Sequence, residues 1–240
     1  MTQQEQLDLI IVTVYLISVT YVLYQAYSSL AERTMVKFDN GALEQQLEKY
    51  KLKDIVDIKF GFQDKDRFDF DNQPKEIFII VINKSSDTSI YVHWDRSTLT
   101  DYEGRSRRVI RLTSDKKPDL FQQQAFSPVA PQRSLKERIT AEDLLKSDAT
   151  NSVLEPSGAL IDIRDLEKRS ANKKTPQNIK DLYSKFITMK DPLKLSLGLV
   201  LQFIEEKMDK VPAQNERWHT LNCDFIIRKM PRSDYLPFKF

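Results

Sequence analysis

Residues that build catalytic and cofactor sites are scarce in this chain of 240, which has five Gly, two His and one Cys. Glycine makes up about 7% of an average chain. Here Gly41, Gly61, Gly104, Gly158 and Gly198 never fall closer than 20 positions apart. A phosphate-cradling loop needs several glycines within a few residues, so that backbone N–H groups can close on the anion. Neither GxGxxG nor a P-loop signature can be written, which excludes the standard nucleotide loops. One Cys excludes an internal disulfide and every multi-cysteine zinc or iron–sulfur site. Charge is balanced as well, with 37 Lys+Arg against 35 Asp+Glu and a formal net charge of +2. A nucleic-acid binder shows a stronger basic stripe, so neither nucleic acid nor nucleotide is expected as a partner.

What is present is apolar: 40% hydrophobic and 10% aromatic residues, enough for a sizeable core and too much for a disordered chain. The longest apolar stretch comes first. Leu7–Tyr27 reads LDLIIVTVYLISVTYVLYQAY, with Asp8 its only charge. As a helix it spans about 31 Å, the thickness of a bilayer's hydrocarbon core. Tyr24 and Tyr27 lie near one end, where amphipathic rings favour the interface. A secretory signal needs a basic n-region, yet no Lys or Arg precedes Arg33, and Ser29–Leu30–Ala31 imitates an A-x-A cleavage site poorly. A buried core helix of this length is unusual in a domain with 30% charged residues. Residues 1–27 therefore read as a retained single-pass anchor in the lipid bilayer. Glu5 and Asp8 flank one end, Arg33 and Lys37 the other, so the positive-inside rule places the remaining chain on the cytoplasmic side. The lack of paired cysteines agrees with a reducing compartment.

Within the span, Thr13, Thr20, Tyr24 and Tyr27 recur at spacings of 7, 4 and 3, which lines hydroxyl groups along one helical face. They read either as hydrogen-bonding to a neighbouring helix of a membrane-protein complex or as each bonding its own i−4 carbonyl.

Residues 28–51 read as a helical stalk, broken at Asp39–Asn40–Gly41 before a short helix Ala42–Lys51 that carries Leu43 and Leu47. The period then changes to two. Val56, Ile58, Phe60 and Phe62 alternate with polar residues. Ile77–Ile82 is apolar on both faces. Ser89–Trp94 puts Ile90, Val92 and Trp94 on one side and Tyr91 and His93 on the other. The turn-forming Asn83–Thr88 joins the last two runs, which read as a hairpin. Leu193, Leu195, Leu197, Leu199, Leu201 and Phe203 make the clearest strand, pairing antiparallel with Arg217–Lys229. With Arg107–Thr113, Ala159–Ile163 and a strand near Phe126–Ala130, seven or eight strands are expected. The expected fold is mainly β: an immunoglobulin-like antiparallel β-sandwich over residues 52–240, with a helical insertion at about 136–188 and one N-terminal transmembrane helix before it. The insertion would hold helices Ala141–Ser147 and Thr175–Met189, the latter starting on a Thr175–Pro176 cap.

No set of residues converges on catalysis. His219 and Cys223 would share a strand face but lie about 13 Å apart, beyond hydrogen-bond reach; Cys223 between Leu221 and Phe225 reads as a small buried apolar residue. The acidic stretch Asp64–Asp71 misses the calcium-loop pattern at three points, with Phe68, Asp69 and Lys75 where an acid, a glycine and a glutamate belong. No metal or other cofactor is therefore expected. Arg105, Arg107, Arg108, Arg111, Lys116 and Lys117 form the densest basic run. It reads as a solvated sheet edge or as a surface for anionic headgroups. Lys168, Arg169, Lys173 and Lys174 form a second cluster. The tail Pro231–Phe240 ends in Tyr235, Leu236, Phe238 and Phe240 and reads as packing back on its own domain.

At Trp94–Asp95–Arg96–Ser97, across Gly104–Leu112 (GRSRRVIRL) and at Ser127–Pro128–Val129–Ala130–Pro131, the chain resembles an uncharacterised group of membrane-anchored proteins from cyanobacteria. The resemblance covers most of residues 53–230 and carries no catalytic residue. It implies a thylakoid or plasma-membrane setting, with photosynthetic-complex assembly or an accessory role as one possibility. The expectation from the residues is a non-enzymatic single-pass protein that presents a β-domain for protein–protein contact. It would assemble, stabilise or scaffold a membrane complex. A membrane-tethered carbohydrate- or lipid-binding module is the alternative, with Trp218 its obvious candidate.

Overall fold

The computed structural model describes residues 3–30, 32–62, 66–112, 123–147, 154–205 and 216–231. Helix α1 is Gln3–Leu30. Its most apolar window, Asp8–Gln25, has a mean hydropathy of 1.6, and none of it is buried against the rest of the chain. It is long and apolar enough to cross a membrane.

Strand β1, Arg33–Phe38, follows almost at once. Residues 28–51 are thus not a wholly helical stalk. β1 pairs on one side with the last strand and on the other with a short strand in Arg67–Asp69. The alternation Thr34/Val36 inward against Met35/Lys37 was hidden in a stretch too short and polar to read. Helix α2, Asn40–Lys49, comes next, its N-terminus capped by Asp39, which accepts from the Ala42 N–H at 3.1 Å. Leu43 and Leu47 are buried from it, as their i, i+4 spacing requires.

The other strands are β2 (Val56–Gly61), β3 (Arg67–Asp69), β4 (Ile77–Asn83), β5 (Thr88–Val92), β6 (Thr98–Thr100), β7 (Ser106–Arg111), β8 (Ser127–Val129), β9 (Ser134–Ala141), β10 (Leu145–Ser147), β11 (Leu154–Pro156), β12 (Leu193–Glu205) and β13 (Glu216–Lys229). All but the β10–β11 ribbon join one antiparallel sheet, ordered β2-β4-β9-β7-β6-β12-β13-β1-β3, with β5 and β8 branching from β12. The sheet curls on itself. β2 is remote from β13 in that order, yet the Phe60 and Phe62 rings lie 5.2 and 5.3 Å from Phe225, and Phe38 lies 4.6 Å from Phe60. β7 helps the curl by changing neighbours in mid-strand: Ser106–Arg108 pair with β6, Val109–Arg111 with β9. Val109 and Ile110, consecutive residues, are accordingly both buried.

Four further expectations need correction. β4 and β5 are not a hairpin, because β4 pairs with β2 and β9 while β5 pairs with β12 and β8. The intervening turn is a corner, held by buried Asn83, whose amide donates to the carbonyls of Thr88 (2.7 Å) and Val129 (3.0 Å). A helical insertion does not begin near 136. Ser134–Ala141 is β9, and Ala141–Ser147 holds only a single 3₁₀ turn before β10; β-branched Ile139 and Thr140 favour the strand. Ala159–Ile163 is not a strand but a buried lead-in to helix α3, Ile163–Ala171, capped by Asp162. Helix α4 is Gln177–Ile187, with Pro176 rather than Thr175 at its N-cap. The expected antiparallel pairing of the two late strands is present along β12, from Leu193↔Ile227 to Ile204↔Glu216.

Helix α3 is bolted on by arginine. Arg164 of α3 donates to Asp71 (2.7 Å), to Glu167 (2.8 Å) and to Glu32, between α1 and β1. Its guanidinium lies over the Phe70 ring. Arg169 grips Glu103.

Leu197 is fully buried in β12, opposite Cys223 on one side and Leu99 on the other. Leu197→Ala should cost about 2–5 kcal/mol. It would be read as a lower denaturant midpoint with an unchanged slope.

Candidate binding surface

Alternation along β5, β12 and β13 sends one set of side chains into the core and the other outward. Leu201 and Phe203, Ile90, Val92 and Trp94 are all buried. The outward set makes a rung across four strands. Trp218 on β13 is opposite Gln202 on β12, Gln202 is opposite Tyr91 on β5, and Tyr91 is opposite Pro128 on β8.

Around this rung, aromatic rings gather at the surface. His93 lies 4.5 Å from the Trp218 ring and 5.6 Å from Phe126; Phe126 lies 5.4 Å from Tyr91. The Arg96 guanidinium sits over the Trp218 ring at 4.6 Å, a cation–π contact. Trp218 is 40% exposed and Phe126 52%. Apart from α1 and Met189, they are the exposed large hydrophobic residues among those described.

The polar groups fix this arrangement. The Gln202 amide nitrogen donates to Glu216 at 3.0 Å, so its oxygen faces His93 Nε2 at 2.8 Å. Facing an acceptor oxygen, His93 Nε2 is the donor of that pair. The set offers flat apolar area, one cation and a fixed imidazole, a composition suited to recognition.

The residues singled out from sequence distribute differently. Thr20 and Tyr24 share one side of α1 with Leu16, Ile17 and Tyr21. Thr13 donates to its own i−4 carbonyl, Leu9 O, at 2.7 Å. The Tyr27 side chain lies outside the described residues. Arg105, Arg107, Arg108 and Arg111 each meet a carboxylate: Asp101 at 2.9 Å, Asp143 at 3.8 Å, Asp95 at 2.8 Å and Glu137 at 3.1 Å. Arg105 is held in the β6–β7 turn, where Gly104 takes φ +83° and Asp101 accepts from the N–H groups of Glu103 and Arg105. Lys116 and Lys117 lie outside the described residues, as do Asp64 and most of the tail. Asp69 and Asp71 are taken up by Arg33 and Arg164. His219 and Cys223 both face inward on β13, with His219 against the rings of Tyr50 (4.8 Å) and Phe203 (5.8 Å).

No protein-family model and no curated protein matches the chain. Among solved structures, the X-ray structure of a Northeast Structural Genomics Consortium target aligns with 77% of this chain and 91% of its own, at 9% identity and a TM-score of 0.27. So low a score carries no argument about fold or function.

Burial pushes the Cys223 thiol well above its ordinary range, and Asp224 adds to the effect. A thiol reagent should therefore leave the native protein untouched and titrate one thiol only after unfolding. Burial, with the nearby Arg217 charge, lowers the His219 pKa from 6.5. The unfolded chain then takes up this proton more readily, so stability should fall as pH drops below about 6.5. Urea midpoints between about pH 7 and about pH 5 would show it, and His219→Gln should flatten that slope. Asp71, Glu167 and Asp224 have lowered pKa values, so their contribution is lost only in more acid solution, below about pH 4.5.

Proposed function

We propose that this is a membrane-tethered protein-interaction module. In this reading α1 is a single-pass anchor, the β-domain lies on the cytoplasmic side of a plasma or thylakoid membrane, and a protein of a membrane complex docks on the Trp218–Phe126 surface. The role is assembly, stabilisation or scaffolding, without catalysis of its own. We read the curled sheet as a sandwich of immunoglobulin-like type that displays this surface. The membrane setting draws on the cyanobacterial resemblance, the orientation on Arg33 and Lys37 beyond the anchor.

The observation that carries the proposal is the exposed Trp–His–Phe–Tyr cluster with Arg96: Trp218 and Tyr91 stand on paired strands, while His93, Phe126 and Arg96 flank the strand ends beside them. Trp, Tyr and Arg dominate the residues whose truncation weakens protein complexes most, and rigid mounting keeps the entropy cost of binding low. A carbohydrate reading is less well supported. A sugar stacks on an open aromatic face, and here Arg96 lies over Trp218 while His93 sits beside it.

Purification from native membranes in mild detergent tests this. The wild-type protein should bring a partner with it, and Trp218→Ala should weaken that association by about 2 kcal/mol or more, while the melting temperature stays within a degree or two. A protein that runs alone, or a partner retained at full strength by Trp218→Ala, would defeat the proposal.

A further inference from the structure

The end of the domain nearest α1 carries a second surface, and its composition differs from that of the aromatic cluster. α1 ends at Leu30 and β1 begins at Arg33, so the sheet starts within about 11 Å of chain from the helix end. Register places other segments at the same level. The Met230 N–H donates to Arg33 O at 2.9 Å. Lys229 and Arg228 pair with Thr34 and Met35, and Leu193 pairs with Ile227. The turn that leads from α4 into β12 is therefore held beside the point where the anchor joins. Between that turn and the end of β13 lies a cleft lined by Phe186, Met189, Lys190, Pro192, Arg228 and Lys229, with Asp191.

Met189 occupies an unusual position there. The end of α4 forms a Schellman motif: the Lys190 N–H donates to Lys185 O at 2.9 Å and the Met189 N–H to Phe186 O at 3.0 Å. Met189 takes the left-handed residue of that motif, at φ 58°. Glycine fills this position without steric cost, whereas a side-chain-bearing residue strains the backbone. Yet the chain places a large apolar side chain there, 55% exposed to solvent. Lys190 follows directly. Carboxylates nearby are engaged within the protein: Asp191 with Lys185 at 3.2 Å, Asp69 with Arg33 at 3.0 Å, and Asp71 and Glu32 with Arg164. The Lys229 ammonium turns back to Ile187 O at 3.4 Å. An exposed methionine beside Lys190 and Arg228, within a short reach of a membrane-spanning helix, matches an anionic bilayer surface in both apolarity and charge.

We infer that this end of the domain seats on the bilayer, with Met189 entering the interface and Lys190 and Arg228 facing anionic headgroups. The inference rests on α1 being the anchor. It fixes orientation as well as attachment. Trp218 lies eleven positions before Lys229 on β13, about 36 Å farther along the strand, so a seated domain carries its aromatic cluster away from the lipid.

The test uses the full chain in vesicles, with a single fluorophore placed through Met189→Cys or, as reference, Phe126→Cys. Cys223 is fully buried, so the unsubstituted protein gives the labelling blank. Vesicles contain phosphatidylcholine with or without phosphatidylglycerol, and a quencher attached to the lipid near the headgroup. The expected result is quenching at 189 and none at 126, stronger with phosphatidylglycerol and reduced by salt. Lys190→Glu with Arg228→Glu should reduce the seated population at least about fivefold, the equivalent of one basic residue. If the protein floats with the vesicles but the two positions are quenched alike, or 189 is not quenched, the seating is wrong and the anchor stands. If the protein does not float with vesicles at high salt, the anchor fails and the seating with it.

Discussion

Strand β12 is the constraint on which the architecture rests. Its inward residues, from Leu193 to Phe203, are all buried, and both edges are paired: β13 along one, β6 and β5 along the other. Slipping its register by one residue would turn every leucine toward solvent, so the hydrophobic pattern alone sets which residues oppose which. The consequences reach both surfaces. With Leu201 and Phe203 committed inward, Gln202 must point out, and it is Gln202 that aligns Trp218 with Tyr91 and orients His93.

How much of this was legible in the sequence depended on how local the deciding interaction was. β12, β13, β2 and β4 declare themselves through strict alternation or continuous apolar runs, and the inward/outward split of Tyr91, His93 and Trp94 could be read directly. The span of α1 was plain from length. β1 and β3 were not legible because each is short and polar and becomes a strand only by pairing with the other and with β13. α3 was hidden because its apolar face is just Ile163 and Leu166, its hold on the domain coming from Arg164 and Arg169. The β4–β5 corner misled because its sequence has good turn chemistry, and turn chemistry does not say which partners two strands will find.

The candidate surface was legible in part for the same reason. Trp218 and His93 could each be placed on an outward face. Their meeting required two facts that alternation does not supply: the β12–β13 register, and the pairing of β5 to the other edge of β12. The arginines tell the converse story. A dense run from Arg105 to Arg111 suggests a basic surface, but Asp95, Glu137 and Asp143 come from other segments to meet it, and Asp101 closes on Arg105 within the β6–β7 turn. Spacing along the chain exposes a charge; only the fold reveals its counter-charge.

The short link between α1 and β1 also has a mechanical meaning. A pull on α1 reaches the domain through Arg33 and runs along β1 rather than across it. Five residue pairs with β13 and, on the other edge, three with β3 would then be loaded in shear together instead of being unzipped one by one. Arg164, clasping Glu32 just ahead of the strand, adds an ionic clamp at the point of load. The junction is built like a lap joint, so tension applied through α1 is spread through the sheet before any single bond has to carry it.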